Sequence, residues 1–254
     1  MYFDTALAGY RRALAAPYEQ TLSSLSGDLF VRKATLDYLG SARYDDVLEI
    51  GMRCARIGSS SIRFDGAAFL QERLLVSCEL VYVFAEPTTQ TAMPVPQKLR
   101  DVLQAFEDGE AMVDVRLGAW DALGRDAGAI RTEVFIDEQR IPAEMEWDAA
   151  DAGCVHAVAF NRFGLALATG RLLRAGPGVA RVGRLAVRQG MRGSRLGGAV
   201  LDALMAAARD RGDHEVVLSA QIRAQAFYIR AGFAPRGAVF EEAGIAHQEM
   251  ARAL

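Results

Sequence analysis

The stretch from Arg181 to Leu204 reads RVGRLAVRQGMRGSRLGGAVLDAL. It opens on strand-like residues and breaks at Gly190 and Gly193. It then passes Gly197 and Gly198 into apolar positions Val200, Leu201, Leu204, Met205 and Ala208 at helical spacing, closed by Gly212. A strand, a Gly-rich turn and a long helix are expected. Such an entry gathers the unpaired N–H groups of the first helical turn and the positive end of the helix dipole at one point, which suits a diphosphate. Arg181, Arg184, Arg188, Arg192 and Arg195 fall within fifteen residues there and offer charge for a further phosphate. Strand-to-helix turns that bind nothing share this spacing. Two rival phosphate motifs fail: GxGxxG is broken because Arg195 stands two positions after Gly193, and no GxxxxGK[ST] occurs.

Upstream, the strand-like VDVRL from Val113 precedes a helix-like AGAIRTEVFIDEQ, and then come strand-like VHAVAF, LALATGRLL and ARVGRLAV. Beyond the Gly-rich helix lie VVLSA, a helix around AQAFYIRAGF, and a final strand pair near AVFEEAG and IAHQEMARAL. The second half therefore reads as a mixed α/β sheet. The first half differs. Phe3, Leu7, Tyr10 and Leu14 recur at helical period up to Pro17, and four strand-like segments follow: LFVRKATLDYL, DVLEIGMRCARI, SSIRFDGAAFL and RLLVSCELVYVFA. A long helix followed by hairpin-linked strands is an α+β order with an antiparallel sheet.

A boundary near 110 separates the two patterns. The Pro/Thr-rich PTTQTAMPVP (87–96), a short helix-like KLRDVLQAF and the polar AFEDGEAM precede it. Residues 1–110 carry 11 basic and 15 acidic side chains, and residues 111–254 carry 18 and 17. Lys33 and Lys98 are the only lysines, so every basic residue after 110 is arginine, which suits two-pronged contacts with phosphate or carboxylate.

The 254 residues are 51% hydrophobic and 24% charged, with a formal net charge of −3, which excludes a disordered chain and argues against a nucleic-acid partner. No apolar run is long enough for a membrane helix and the first residues do not read as a signal peptide, so no membrane partner and a cytoplasmic location are expected. Cys54, Cys78 and Cys154 are widely spaced and read as reduced packing residues, with no metal site expected.

RGSRLGGAVL followed by AQAFYIRAGF resembles the acyl-CoA-binding and C-terminal motifs of the GNAT N-acetyltransferases. RTEVFIDEQRIP, the later Asp151, Ala152 and His156, and VFEEAGIAHQEM look like the ElaA-like branch of that superfamily. The resemblance covers about 145 residues, 111–254, and departs from the general motif where Arg195 replaces Gly or Ala. It implies a GNAT-like fold and an acetyl-CoA co-substrate whose thioester a small amine attacks directly in a ternary complex. The amine must lose a proton, the carbonyl oxygen must be stabilised as an oxyanion, and the leaving thiolate must be protonated. The resemblance assigns Leu185, Ala186 and Val187 to the strand that binds the thioester, and Arg192, Gly193, Ser194, Arg195, Leu196, Gly197 and Gly198 to the diphosphate turn. Phe227 and Tyr228 match the aromatic pair of the later helix, Tyr228 as general acid; a plain core role for both is the alternative. Glu138 and His247 are candidate bases, directly or through water. Seven acidic residues from Glu133 to Asp151 against one arginine, Arg140, suggest a field that favours a cationic acceptor, or else a solvated face.

In the first half, ATLDYLGSARYDDVLEIGMRCARIGSSSIRFDGAAF resembles the hotdog-fold acyl-CoA thioesterases of the 4-hydroxybenzoyl-CoA type, in which a sheet wraps a long helix. Residues 1 to about 105 match that domain from its central helix onward. The family's first strand and its Asp-bearing catalytic loop have no counterpart, and Asp4 is a weak substitute. This implies a poor hydrolase retained as a dimerisation platform or acyl-CoA binder, or a longer reading frame that restores a bifunctional enzyme. Three functional readings follow: an N-acetyltransferase fused to a thioesterase-like domain, a non-catalytic acyl-CoA sensor or assembly protein, and a thioesterase. A homo-oligomer through the hotdog half is expected.

Overall fold

The computed structural model describes residues 2–254, which divide into two compact units: residues up to Met112 with Asn161–Phe163, and Val113–Phe160 with Gly164–Leu254.

The first unit begins with α1 (Tyr2–Ala13) and α2 (Tyr18–Ser24), followed by β1 (Asp28–Tyr38), β2 (Glu49–Ile57), β3 (Ser61–Leu70), β4 (Arg73–Ala85) and α3 (Gln97–Glu107). The strands form one antiparallel sheet in the order β1-β4-β3-β2. Ile62, Phe64 and Ala68 alternate along β3 onto the buried face, where Leu7, Tyr10 and Leu14 of the first helix and its exit meet them. The ring of Tyr10 packs edge-on to Phe64 at 5.4 Å, and its hydroxyl donates to Glu107 at 2.5 Å, which pins α3 to α1. Helix and sheet approach so closely at Gly66 that a Cβ there would lie 2.8 Å from the Phe3 ring. α1 ends at Ala13, short of Pro17, because Ala15 turns the chain at φ 51° while the Ala16 N–H closes back on the Arg11 carbonyl; Pro17, at φ −62°, instead starts α2, a helix the apolar spacing did not announce.

The second unit runs β5 (Val113–Gly118), α4 (Trp120–Arg131), a seven-residue π-helix (Thr132–Glu138), α5 (Ala143–Glu146), β6 (Val155–Asn161), β7 (Ala166–Gly176) and β8 (Val179–Val187). It continues through α6 (Leu196–Asp210), β9 (Glu215–Gln221), α7 (Gln225–Arg230), β10 (Ala234–Glu242) and β11 (Ile245–Ala253). These strands form a mixed seven-stranded sheet in the order β10-β11-β9-β8-β7-β6-β5. Where a single helix-like stretch was expected across 127–139, α4 gives way to the wider π-helix, a form that recurs at functional sites. Helix α6 buries Leu196, Val200, Leu201, Leu204, Met205 and Ala208 against the sheet. It sits so low over β7 that a Cβ at Gly170 would meet Leu204 at 2.9 Å. Each such leucine contributes about 1.5–3 kcal/mol through removal from water. No helix among the described residues is long and apolar enough to cross a membrane.

Candidate active site

The parallel strands β8 and β9 stay together only at Val179, Ala180 and Arg181, which face Glu215, Val216 and Val217. Both strands run on, so the sheet opens into a wedge. On its other side β8 remains paired with β7, and the N–H of Arg188 donates to the Leu167 carbonyl at 3.0 Å. Strand alternation then turns the N–H groups of Val187 and Leu185 away from β7 and into the wedge. A bulge helps: between Gly183 and Ala186 β8 advances three residues while β7 advances two, from Arg171 to Thr169. Arg184 absorbs the extra residue at φ 51°, a conformation that costs a non-glycine residue about 1–3 kcal/mol.

The turn after β8 feeds α6. Gly193 has φ 83° and Arg195, at the helix N-cap, has φ 64° with no side-chain cap. The first helical bond runs from the Ala199 N–H to the Arg195 carbonyl at 3.1 Å, leaving the N–H groups of Leu196, Gly197 and Gly198 without a helical acceptor. They open on a cleft of about 1130 Å³ lined by Leu185, Ala186, Val187, Arg192, Gly193, Arg195, Leu196, Gly197, Gly198, Phe227 and Tyr228. Ser194 is not part of that lining, because its hydroxyl turns back to donate to the Met191 carbonyl.

A second cavity of about 390 Å³ lies on the far side of the wedge and is lined by Tyr228, His247, Glu146, Asp148, Arg171, Arg181 and Arg184 among others. Gln139, Leu185, Gln221, Ala224 and Tyr228 line both spaces, so the two meet at the bulge and the aromatic helix. Tyr228 is buried between Phe227 and Phe233, at centroid distances of 4.9 and 6.0 Å. Its hydroxyl has no hydrogen-bond partner among the described residues, and burial pushes its pKa up to about 12. His247 is buried on β11 opposite Gln221. Its Nδ1 donates to the Ile245 carbonyl at 2.8 Å, which selects the tautomer of the neutral ring in which Nε2 is the acceptor. Glu138 lines neither space. Arg192 engages it at 2.8 and 2.5 Å, and that ion pair lowers its pKa, which weakens it as a base.

A family model described as Acetyltransferase (GNAT) domain matches residues 126–254. The chain belongs to the GNAT acetyltransferase family. An uncharacterized N-acetyltransferase of Bacillus subtilis, YjcF, is 34% identical over 127 residues, covering 50% of this chain and 89% of the relative. An acyl-CoA N-acyltransferase from Pseudomonas aeruginosa is 35% identical with a TM-score of 0.50, over 56% of this chain and 99% of that one. Escherichia coli ElaA is 25% identical with a TM-score of 0.51, over the same 56% and 99%. The first unit is a hotdog domain: a thioesterase-superfamily model matches residues 2–77. The GNAT assignment carries an acyl-CoA co-substrate and an N-acetyltransferase activity with it.

The charges of the GNAT unit depart from two expectations. The five arginines do not gather on the diphosphate turn. Arg181 pairs with Glu249 at 3.1 Å, Arg188 pairs with Glu133, and Arg184 turns toward α5. Only Arg192 and Arg195 of the five line the large cleft, where Arg223 and Arg230 join them from the segment around α7. The sequence signal for that pair was present in AQAFYIR and its preceding turn, but carried no spacing rule that links it to a turn thirty residues earlier.

Nor does the acidic run from Glu133 to Asp151 form a negative cleft, because arginines from α4, β7, β8 and the turn neutralise five of its seven carboxylates. Most of this pairing is a buried cluster. Arg131 lies over the rings of Trp147 and Trp120, 4.6 and 5.5 Å from their centroids. It reaches Glu146 at 2.5 Å and Asp151 at 2.8 Å. Asp151 also accepts from Arg171 at 2.7 Å, and Arg171 holds Asp148 at 2.7 and 2.6 Å, which drops the Asp148 pKa to about 2. Burial raises the Glu146 pKa against its arginine partners, and burial lowers that of His156, whose Nε2 lies 2.9 Å from the Asp151 carbonyl. Among the described residues no group of three or more His, Cys, Asp or Glu side chains is arranged to hold a metal.

Proposed function

We propose that this chain transfers an acetyl group from acetyl-CoA to a small amine by direct attack in a ternary complex. The observation that carries the reading is the meeting of the two spaces at Leu185 and Tyr228. The large cleft takes the coenzyme, with its diphosphate on the N–H groups of Leu196–Gly198 and its phosphates near Arg192 and Arg195. The smaller cavity takes the amine. Acetyl-CoA brings an activated thioester; the chain supplies everything else.

His247 Nε2 accepts the proton of the incoming ammonium, directly or through one water. The amine nitrogen then bonds to the thioester carbon, and the oxygen gains charge that the N–H groups of Leu185 and Val187 stabilise. As the C–S bond breaks, the Tyr228 hydroxyl gives its proton to the departing sulfur, and the phenolate regains one from the nitrogen, which sheds its second proton as the amide forms, so the proton held by His247 is the net one released to water. A phenol held at a pKa of about 12 stays protonated at neutral pH and is available for that step. Glu138 lies at the diphosphate end, paired with Arg192 and competing with phosphate for it, rather than beside the reacting atoms.

We assign transfer to residues 111–254 and read residues 1–110 as a hotdog platform that pairs copies of the chain, with the protein in the cytoplasm. The edge strands β1 and β2 of its sheet offer the surface for such pairing. Thioester hydrolysis by this unit is the second reading, favoured by the thioesterase-superfamily match over residues 2–77. One assay separates them: a panel of amines with acetyl-CoA, following thiol release. Release that depends on the amine supports transfer, and release without any amine supports hydrolysis. Coenzyme binding with no release under either condition would instead establish a sensor.

A further inference from the structure

Arg184 occupies the one position in β8 where a glycine would relieve the backbone, at φ 51°. Its side chain is fully engaged. The guanidinium donates to the Met145 carbonyl at 2.9 Å and to the Glu146 carbonyl at 3.0 and 3.2 Å, and it pairs with Glu146 Oε2 at 3.1 Å and Asp148 Oδ2 at 3.5 Å. The segment it grips cannot yield easily, because Glu146 is tied to Arg131, Asp148 to Arg171, and Asp151 joins those two arginines. Arg171 itself stands on β7 directly opposite Gly183, the residue before the bulge. The buried cluster thus holds the bulge from both sides: through the β7 register and through the Arg184 side chain.

We propose that Arg184 is a positioning residue for acyl transfer, clamping the β8 bulge to the Met145–Asp148 segment so that the N–H groups of Leu185 and Val187 point at the thioester carbonyl. The inference rests on the acetyl-transfer reading above. It explains why an arginine accepts a backbone better suited to glycine: the clamp, not the turn, is what the position needs. A planar guanidinium can meet two carbonyls and two carboxylates at once, which an ammonium cannot.

The test uses the full chain and an acetyl-CoA analogue whose sulfur is replaced by methylene, labelled with ¹³C at the carbonyl. Arg184→Gly removes the clamp without penalising the positive φ, and Arg184→Lys keeps the charge but loses the fork. With the native chain, the bound carbonyl resonance moves downfield as the two N–H groups polarise it. In both variants that displacement is expected to fall by more than half, with kcat reduced about 100-fold for whichever amine the panel identifies. The Kd for acetyl-CoA stays within about threefold, since the diphosphate turn is untouched.

A native carbonyl resonance in a folded variant overturns the proposal. So does a loss of acetyl-CoA affinity equal to the loss in kcat, which marks a structural role only. If Arg184→Gly fails to fold, Arg184→Lys decides by the same two readings. Failure of the native chain to bind acetyl-CoA removes the transfer reading and this one together, whereas binding with an unchanged carbonyl removes this one alone.

Discussion

Arg192 grips Glu138 with both arms of its guanidinium, 2.8 Å to Oε1 and 2.5 Å to Oε2, beside the turn that enters α6. A phosphate arriving at that turn must share the arginine with a carboxylate or displace it. Glu138→Gln should therefore tighten CoA binding by about three- to tenfold, an effect that shrinks as salt rises. Isothermal titration at two ionic strengths measures it. The same variant should keep its kcat; a loss of about 100-fold would return Glu138 to the role of base.

Tyr228→Phe removes one oxygen from the junction of the two spaces and leaves the packing with Phe227 and Phe233 in place. The expected result is a fall in kcat of about 10²- to 10⁴-fold with the Kd for CoA unchanged. Because burial holds the native phenol protonated up to about 12, Tyr228 should impose no alkaline decline below about pH 10 in the native rate profile. Equal activity of Phe and Tyr enzymes would make both rings mere packing.

The Asp148 carboxyl is held at about 2 by Arg171, against an ordinary value of 3.8. Its folded pKa is depressed, so its contribution to stability is complete above 3.8 and disappears as pH falls through about 2. Thermal melts across that acid range should show a steeper decline for the native chain than for Asp148→Asn. Parallel curves would mean that the pair gives the fold nothing.

Asp151 links Arg131 and Arg171, at 2.8 and 2.7 Å, from a buried position. Asp151→Asn leaves two buried guanidinium groups short of a counter-charge and should cost the GNAT unit about 3–5 kcal/mol. Differential scanning calorimetry reads this directly. Replacement of Asp114, exposed beside Arg116 on β5, is the control and should change stability by less than about 0.5 kcal/mol.

The strand, Gly turn and helix from Arg181 to Asp210 were legible because glycine, apolar period and helix polarity all act over a few neighbouring residues. The four strands of the first unit were legible for the same reason, within a few residues at their ends. The π-helix was not: over seven residues its wider period cannot be told from that of an ordinary helix by apolar spacing. Charge was the least legible property. Glu133 and Arg188 lie 55 positions apart and Glu138 and Arg192 lie 54 apart, so a run that reads as acidic along the chain is neutral in space. The aromatic pair Phe227 and Tyr228 could be placed on a helix, but the meeting of two cavities at Tyr228 depends on where β8 and β9 part, which no local pattern encodes.

That parting of β8 from β9 after Arg181 also bears on how such a protein tolerates change. The groups proposed to steady the reacting oxygen belong to the main chain, and nearly every substitution preserves an amide. Evolution is thereby free to redecorate the amine-facing wall, residue by residue, while the reaction centre is inherited intact. A lineage of such enzymes would diverge first in what it acetylates and last in how.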